Sequence, residues 1–152
     1  MAIEFTSLLL SFKIKEPKRL KEFVELLCFT EEKECGDIHF IFCSDEYLHK
    51  LNNDYLQHNT LTDIITFDYS KSNKAYGRKA LRPYHELSGD LFISIERVKE
   101  NALLFKQPFE QELHRVMFHG ILHLCGYNDK LPKDIKTMRK KEAFYLELFA
   151  GS

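Results

Sequence analysis

His119 and His123 stand four residues apart in the stretch His119-Gly120-Ile121-Leu122-His123-Leu124-Cys125-Gly126-Tyr127-Asn128-Asp129. On a helix, that spacing puts two side chains on one face, about one turn apart. Two imidazoles so placed can reach one metal ion. Gly126 suits the left-handed conformation that ends a helix. The chain can then turn back, and Asp129 becomes a third ligand from the loop. Three protein ligands leave a position for water, which is how a catalytic zinc site differs from a closed structural one. Val116, Met117, Ile121, Leu122 and Leu124 make this helix apolar on most sides. Histidines in so apolar a helix need polar partners, because unpaired buried polar groups are costly. A metal supplies a partner for both. Hydrogen-bonded core histidines satisfy the same rule, but do not account for the glycine and aspartate that follow.

A divalent ion on two imidazoles and a carboxylate lowers the pKa of a bound water to roughly 7 in good zinc sites. It also polarises a phosphoryl or carbonyl oxygen, so peptide and phosphodiester hydrolysis are both open. Gly120 weighs against the first. Metalloproteases with H-E-x-x-H place their general-base glutamate at that position. No side chain is assigned the role of base here, which falls to the metal-bound water. Glu112 is the one further candidate, about 20° round the helix from His119 at about 100° per residue. Capping or packing is its alternative. His114 falls about 140° from His119 and is not expected to be a ligand. A carboxylate in place of a third imidazole lowers the positive charge of the site. That favours tolerance of harder ions such as manganese beside zinc.

The same stretch resembles a signature of the YbeY-type endoribonucleases, bacterial ribosomal RNA maturation factors, of the form H-G-x-L-H-L-x-G-Y-D-H. Only the last two specified positions differ, where Asn128 and Asp129 stand. Leu51-Asn52 with Tyr55 is similar to the family's L-N-x-x-Y-R block. Thr62-Asp63-Ile64-Ile65-Thr66-Phe67 is similar to its T-D-V-L-S-F block, and Gly89 to Ser94 to its G-D-I-x-I-S block. Glu112 precedes His119 by seven residues, as a glutamate does there. The resemblance runs from about residue 36 to the C-terminus. It implies a fold related to zinc metalloproteases and a metal-dependent endoribonuclease specific for single-stranded RNA. It further implies action on ribosomal RNA precursors with the small ribosomal subunit as partner. Asp63, Thr66 and Asp90 gain a possible site role, with strand-end hydrogen bonding as the alternative. Leu56 stands where the family has an arginine to which a catalytic role is assigned. An arginine there would steady negative charge near a cleaved phosphodiester.

The net charge of −1 excludes a general polyanion binder, so RNA contacts must come from local patches. Lys71, Lys74, Arg78, Lys79 and Arg82 form one such patch without an acidic neighbour. A solvated loop is the plain alternative. Lys133, Lys136, Arg139, Lys140 and Lys141 form a second group, expected on the outer face of a helix. Apolar residues at 44% and charged residues at 30% indicate an ordinary globular chain. No apolar run approaches the roughly 20 residues of a membrane helix, and Ser7 to Phe12 is too short for a signal peptide. Cytoplasm is the expected compartment. Cys28, Cys35, Cys43 and Cys125 lack C-x-x-C spacing and read as free thiols, with Cys125 as core filler.

These residues need a scaffold, and the length of 152 residues fits one domain over 1–152. Residues 3–14, 37–43, 63–69 and 87–93 favour strands. Helices are expected over 17–28, from Ser44-Asp45, from Ser94, up to about Leu124, and from Pro132. Residues 70–86 read as a loop. In the last helix Ile135, Met138, Ala143, Tyr145 and Leu148 are expected to reach the core. Strands and helices come first and helices alone last. That order predicts an α+β domain, a small mixed β-sheet covered by helices. A metallopeptidase and a ribosome-associated, metal-stabilised binding protein without turnover are the rival functions.

Overall fold

The computed structural model describes residues 2–56, 62–72 and 85–152. β1 (Ile3–Ser7) is shorter than the strand expected over 3–14. The Ser7 hydroxyl ends it by bonding both the N–H and the carbonyl of Leu9, in competition with the strand ladder. Pro17 opens α1 (Pro17–Thr30), whose Leu20, Phe23, Val24 and Leu27 are buried along one face. β2 (Glu34–Cys43) follows. Ser44 Oγ then accepts from Tyr47 N–H and starts α2 (Asp45–Leu56).

β3 (Ile64–Asp68), β4 (Lys71–Ser72) and β5 (His85–Ser94) complete the sheet. The segment expected as a loop over 70–86 is therefore strand at both described ends, because Lys71–Ser72 pairs antiparallel with His85–Glu86. Lys74, Arg78, Lys79 and Arg82 lie outside the described residues. Ser94 Oγ caps α3 (Ile95–Leu104) by accepting from Arg97 N–H at 3.1 Å. α4 (Phe109–Leu124) and α5 (Pro132–Ala150) end the chain.

The strand order is β1-β2-β5-β3, with β4 also on β5. β1, β2 and β5 run parallel, and β3 runs antiparallel to β5. This is the mixed α+β architecture expected from the sequence. Strand alternation sorts side chains onto two faces. Ile38, Phe40, Phe42, Leu87, Leu91 and Ile93 join α1, α3, α4 and α5 in the main core. Cys43 and Ile65, with Phe67 and Phe92 beside them, meet Leu48 of α2 on the other face.

The stripe that α5 buries is Met138, Glu142, Tyr145 and Phe149. Met138 and Tyr145 meet the expectation. Ile135, Ala143 and Leu148 are exposed instead. The helix is turned so that a carboxylate points inward, which apolar spacing alone does not anticipate. No helix among the described residues is long and apolar enough to cross a membrane.

Candidate functional site

α4 lies unusually close to the sheet at Gly120. A Cβ there would stand 2.2 Å from Leu91 Cδ2 and 2.8 Å from Ile64 Cδ1. The position faces the sheet, so no larger side chain fits without displacing core groups. A glutamate at 120 would be driven into the core. The absence of the peptidase base is thus built into the packing.

His119 and His123 occupy the same helix, with ring centroids 5.5 Å apart. Gly126 ends α4 at φ 108°, as expected. Gly126 N–H donates to the His123 carbonyl and Tyr127 N–H to the Leu122 carbonyl, the paired bonds of a Schellman turn. That turn brings the Tyr127 carbonyl beneath the second imidazole. His123 Nδ1–H donates to it at 2.7 Å. His119 Nδ1 lies 2.6 Å from Glu142 Oε2. Burial pushes the Glu142 carboxyl up, but the bond with His119 and the Arg115 and Arg139 guanidiniums hold it below the usual range. An ionised carboxylate only accepts, so His119 Nδ1 is the donor. Both imidazoles therefore keep the Nε2 lone pair free in their neutral form.

Asp129 Oδ2 stands 3.3 Å from His119 Nε2, and its side chain is 38% exposed. A lone pair facing a carboxylate oxygen is two acceptors in opposition. A shared cation, metal or proton, resolves it. Among the described residues no three histidine, cysteine, aspartate or glutamate side chains are gathered into a formed metal cluster. The residues thus fit a metal in donor type and tautomer rather than as a closed ligand shell.

Behind His119 lies a network that sequence reasoning missed. Glu142, 2% exposed, receives Arg115 at 3.0 Å and Arg139 at 2.8 Å on its Oε1. Arg115 also forms a two-pronged pair with Glu112, at 2.8 and 2.7 Å. Glu112, the candidate for acid–base chemistry, is thereby engaged by Arg115, which links it to Glu142 and so to His119. Asp63 Oδ2 lies 3.7 Å from Arg115, and burial raises its carboxyl pKa despite Arg115 and His119 nearby. The available signal was Glu142 at the centre of a Met138, Tyr145, Phe149 spacing. A charge in an apolar stripe must have partners.

Other candidates divide by position. Thr66 pairs with Leu91, on the sheet face toward α4. Asp90 follows Gly89 and precedes Leu91, and so lies on the opposite face, where it accepts from the Tyr69 hydroxyl at 3.5 Å. His114 packs against Phe118 and Phe149, and burial pushes its pKa down to about 4. Cys125 is buried in the core, with its thiol pushed up to about 12 by burial. The four cysteines are free thiols. Of the second basic group, Lys133, Lys136 and Lys140 are exposed as expected. Arg139 turns to Glu142, and Lys141 to Glu31 at 3.1 Å. Lys71 belongs to β4 and Leu56 closes α2.

Comparison with known proteins matches residues 9–150 to the family model described as Endoribonuclease YbeY. That span is wider than the region of resemblance visible in the sequence. An Endoribonuclease YbeY from Flavobacterium psychrophilum is 47% identical over 140 residues, covering 92% of this chain and 91% of the relative. One from Flavobacterium johnsoniae is 46% identical, covering 91% of each. One from Bacteroides fragilis is 49% identical, covering 80% of this chain and 78% of the relative. A solution structure from Thermotoga maritima superposes with a TM-score of 0.59 at 29% identity, over 99% of this chain and 90% of that one.

Proposed function

This chain belongs to the endoribonuclease YbeY family, and from that premise we propose that it is a metal-dependent hydrolase of single-stranded RNA. One divalent ion, zinc in the first instance, is held by His119 Nε2, His123 Nε2 and Asp129. The observation that carries this reading is the pair of fixed tautomers. Each Nδ1 proton has an acceptor, at 2.6 Å for His119 and 2.7 Å for His123. Bound there, the ion supplies Lewis acidity toward a phosphoryl oxygen and acidifies water at neutral pH. The chain's own residues do the rest. Glu142 keeps the proton of His119 on Nδ1, and Arg115 and Arg139 hold Glu142 in place. Asp129, half-exposed, faces His119 Nε2 from the loop after the turn.

The family and its relatives' names support RNA as substrate. Ribosomal RNA precursors, with the small ribosomal subunit as partner and the cytoplasm as compartment, are the setting we propose from the resemblance of the sequence motifs. Lys71, Lys74, Arg78, Lys79 and Arg82 are the proposed phosphate contacts. Gly120 argues against a peptidase by the packing described above. The test is metal analysis of purified protein, then cleavage of an RNA with single-stranded ends by wild type and His123→Ala. The wild type should bind one zinc and cut the RNA. The variant should lose both. A wild type that binds zinc and melts on its removal, yet never cuts RNA, identifies a metal-stabilised binding protein instead.

A further inference from the structure

Glu31 lies near the end of α1, far in sequence from the candidate ligands. A carboxylate at a helix C-terminus meets the negative end of the helix dipole, and this one is only 7% exposed. It is kept there by three donors from the other end of the chain. The Tyr127 hydroxyl donates at 2.6 Å, the Lys141 ammonium at 3.1 Å, and the Tyr145 hydroxyl donates as well. Two of these partners belong to α5. Tyr127 belongs to the turn that links α4 to α5.

Tyr127 is held at both ends. Its hydroxyl is fixed by Glu31, and its carbonyl accepts the Nδ1 proton of His123. The Lys141 ammonium lies 5.4 Å above its ring. Asn128 and Lys130, which flank Asp129, are exposed. The Tyr127 side chain is thus an anchor between the Gly126 bend and Asp129. Moving it would shift both the acceptor that orients His123 and the backbone that carries Asp129.

We infer that Glu31 is a positioning residue of this site, acting through Tyr127 to hold His123 and Asp129 in a metal-ready geometry. The inference rests on the metal reading proposed above. A role in packing alone would treat Tyr127 and Tyr145 alike, since both donate to the same carboxylate. A positioning role would not, because only Tyr127 carries the turn.

The test uses the full chain and zinc alone as probe. Tyr127→Phe and Tyr145→Phe each remove one hydroxyl and keep the ring, and Glu31→Gln keeps the shape while removing the charge. Zinc affinity is measured by competition with a chromogenic chelator, and stability by urea unfolding of the metal-free protein. Losing an outer hydrogen-bond partner of a ligand costs about 10- to 100-fold in metal affinity. Tyr127→Phe and Glu31→Gln keep the Tyr127 carbonyl but release its anchor, so they should show a loss at the low end of that range, about 10-fold. Tyr145→Phe should bind zinc as wild type does, even where its stability falls as far. Equal affinities in all three variants and wild type would overturn the inference. So would a loss in Tyr145→Phe matching that in Tyr127→Phe, which marks a packing role. A wild type without zinc affinity sinks the metal reading itself, and that titration is run first. Should Tyr127→Phe fail to fold, the contrast between Glu31→Gln and Tyr145→Phe decides on the same criterion.

Discussion

Glu142 decides which nitrogen of His119 carries the proton. It is held below the usual carboxylate range, and the Nδ1 bond at 2.6 Å ties the imidazole to it. Glu142→Gln keeps the volume but removes the charge that two arginines surround. Metal affinity should fall about 10- to 100-fold, measured by chelator competition. Stability should fall by about 3 kcal/mol in urea unfolding, because Arg115 is left half-buried with one partner fewer. An unchanged affinity would show that His119 keeps its tautomer without help. The candidate ligands themselves were legible as residues. His119, His123 and Asp129 announce themselves by type and spacing. Glu142 did not, because it supports the site from α5 and no local motif contains it.

At the scale of elements, two glycines of α4 have separate tasks. Gly120 lets the helix touch Leu91 and Ile64, and Gly126 turns the chain so that the Tyr127 carbonyl meets His123 and Asp129 meets His119. The second was readable from the chain and the first only from the packing. α1 and α5 are joined through Glu31. Burial pushes its carboxyl up, but the bonds from Tyr127, Tyr145 and Lys141 outweigh that and hold it below its ordinary value of 4.5. A carboxyl that ionises more readily when folded stabilises the fold fully above its unfolded pKa. That stability is lost as pH falls through the folded value. Glu142 shifts in the same direction. Stability should therefore fall as pH drops below the ordinary carboxylate value of 4.5 and through the lower folded-state values of both groups. Glu31→Gln should flatten that acid limb in part and lower the plateau near neutral pH. Urea midpoints across the range check this, and a limb of unchanged depth in the variant would exclude Glu31 as a contributor.

For the whole molecule, a net charge of −1 leaves RNA affinity to the arrangement of charge rather than its total. Many basic side chains are engaged internally. Arg115, Arg139 and Lys141 face carboxylates of the fold. The proposed phosphate contacts lie in residues 71–82, whose five basic side chains have no acidic residue among them in the sequence. Replacing Lys71, Lys74, Arg78, Lys79 and Arg82 with glutamine should weaken binding to single-stranded RNA. Every phosphate left without its cation should flatten the salt dependence by roughly 0.7 in log–log slope. Zinc affinity should stay as in wild type. An unchanged slope would reduce the segment to a solvated stretch.

The histidine pair, the turn after Gly126, the α+β order of elements and the family are all legible in the chain before it folds. These are properties of local spacing, capping and short motifs, which a chain carries wherever it folds. Packing in three dimensions is what turns Glu142 inward, joins Glu112 to it through Arg115, and puts Asp90 on the far face from the histidines. It alone brought Glu31 to Tyr127 across 96 residues. Such contacts depend on how helices rotate against a sheet. A rotation of one residue about a helix axis, roughly 100°, would exchange Glu142 for an exposed neighbour while leaving the helix-forming pattern intact.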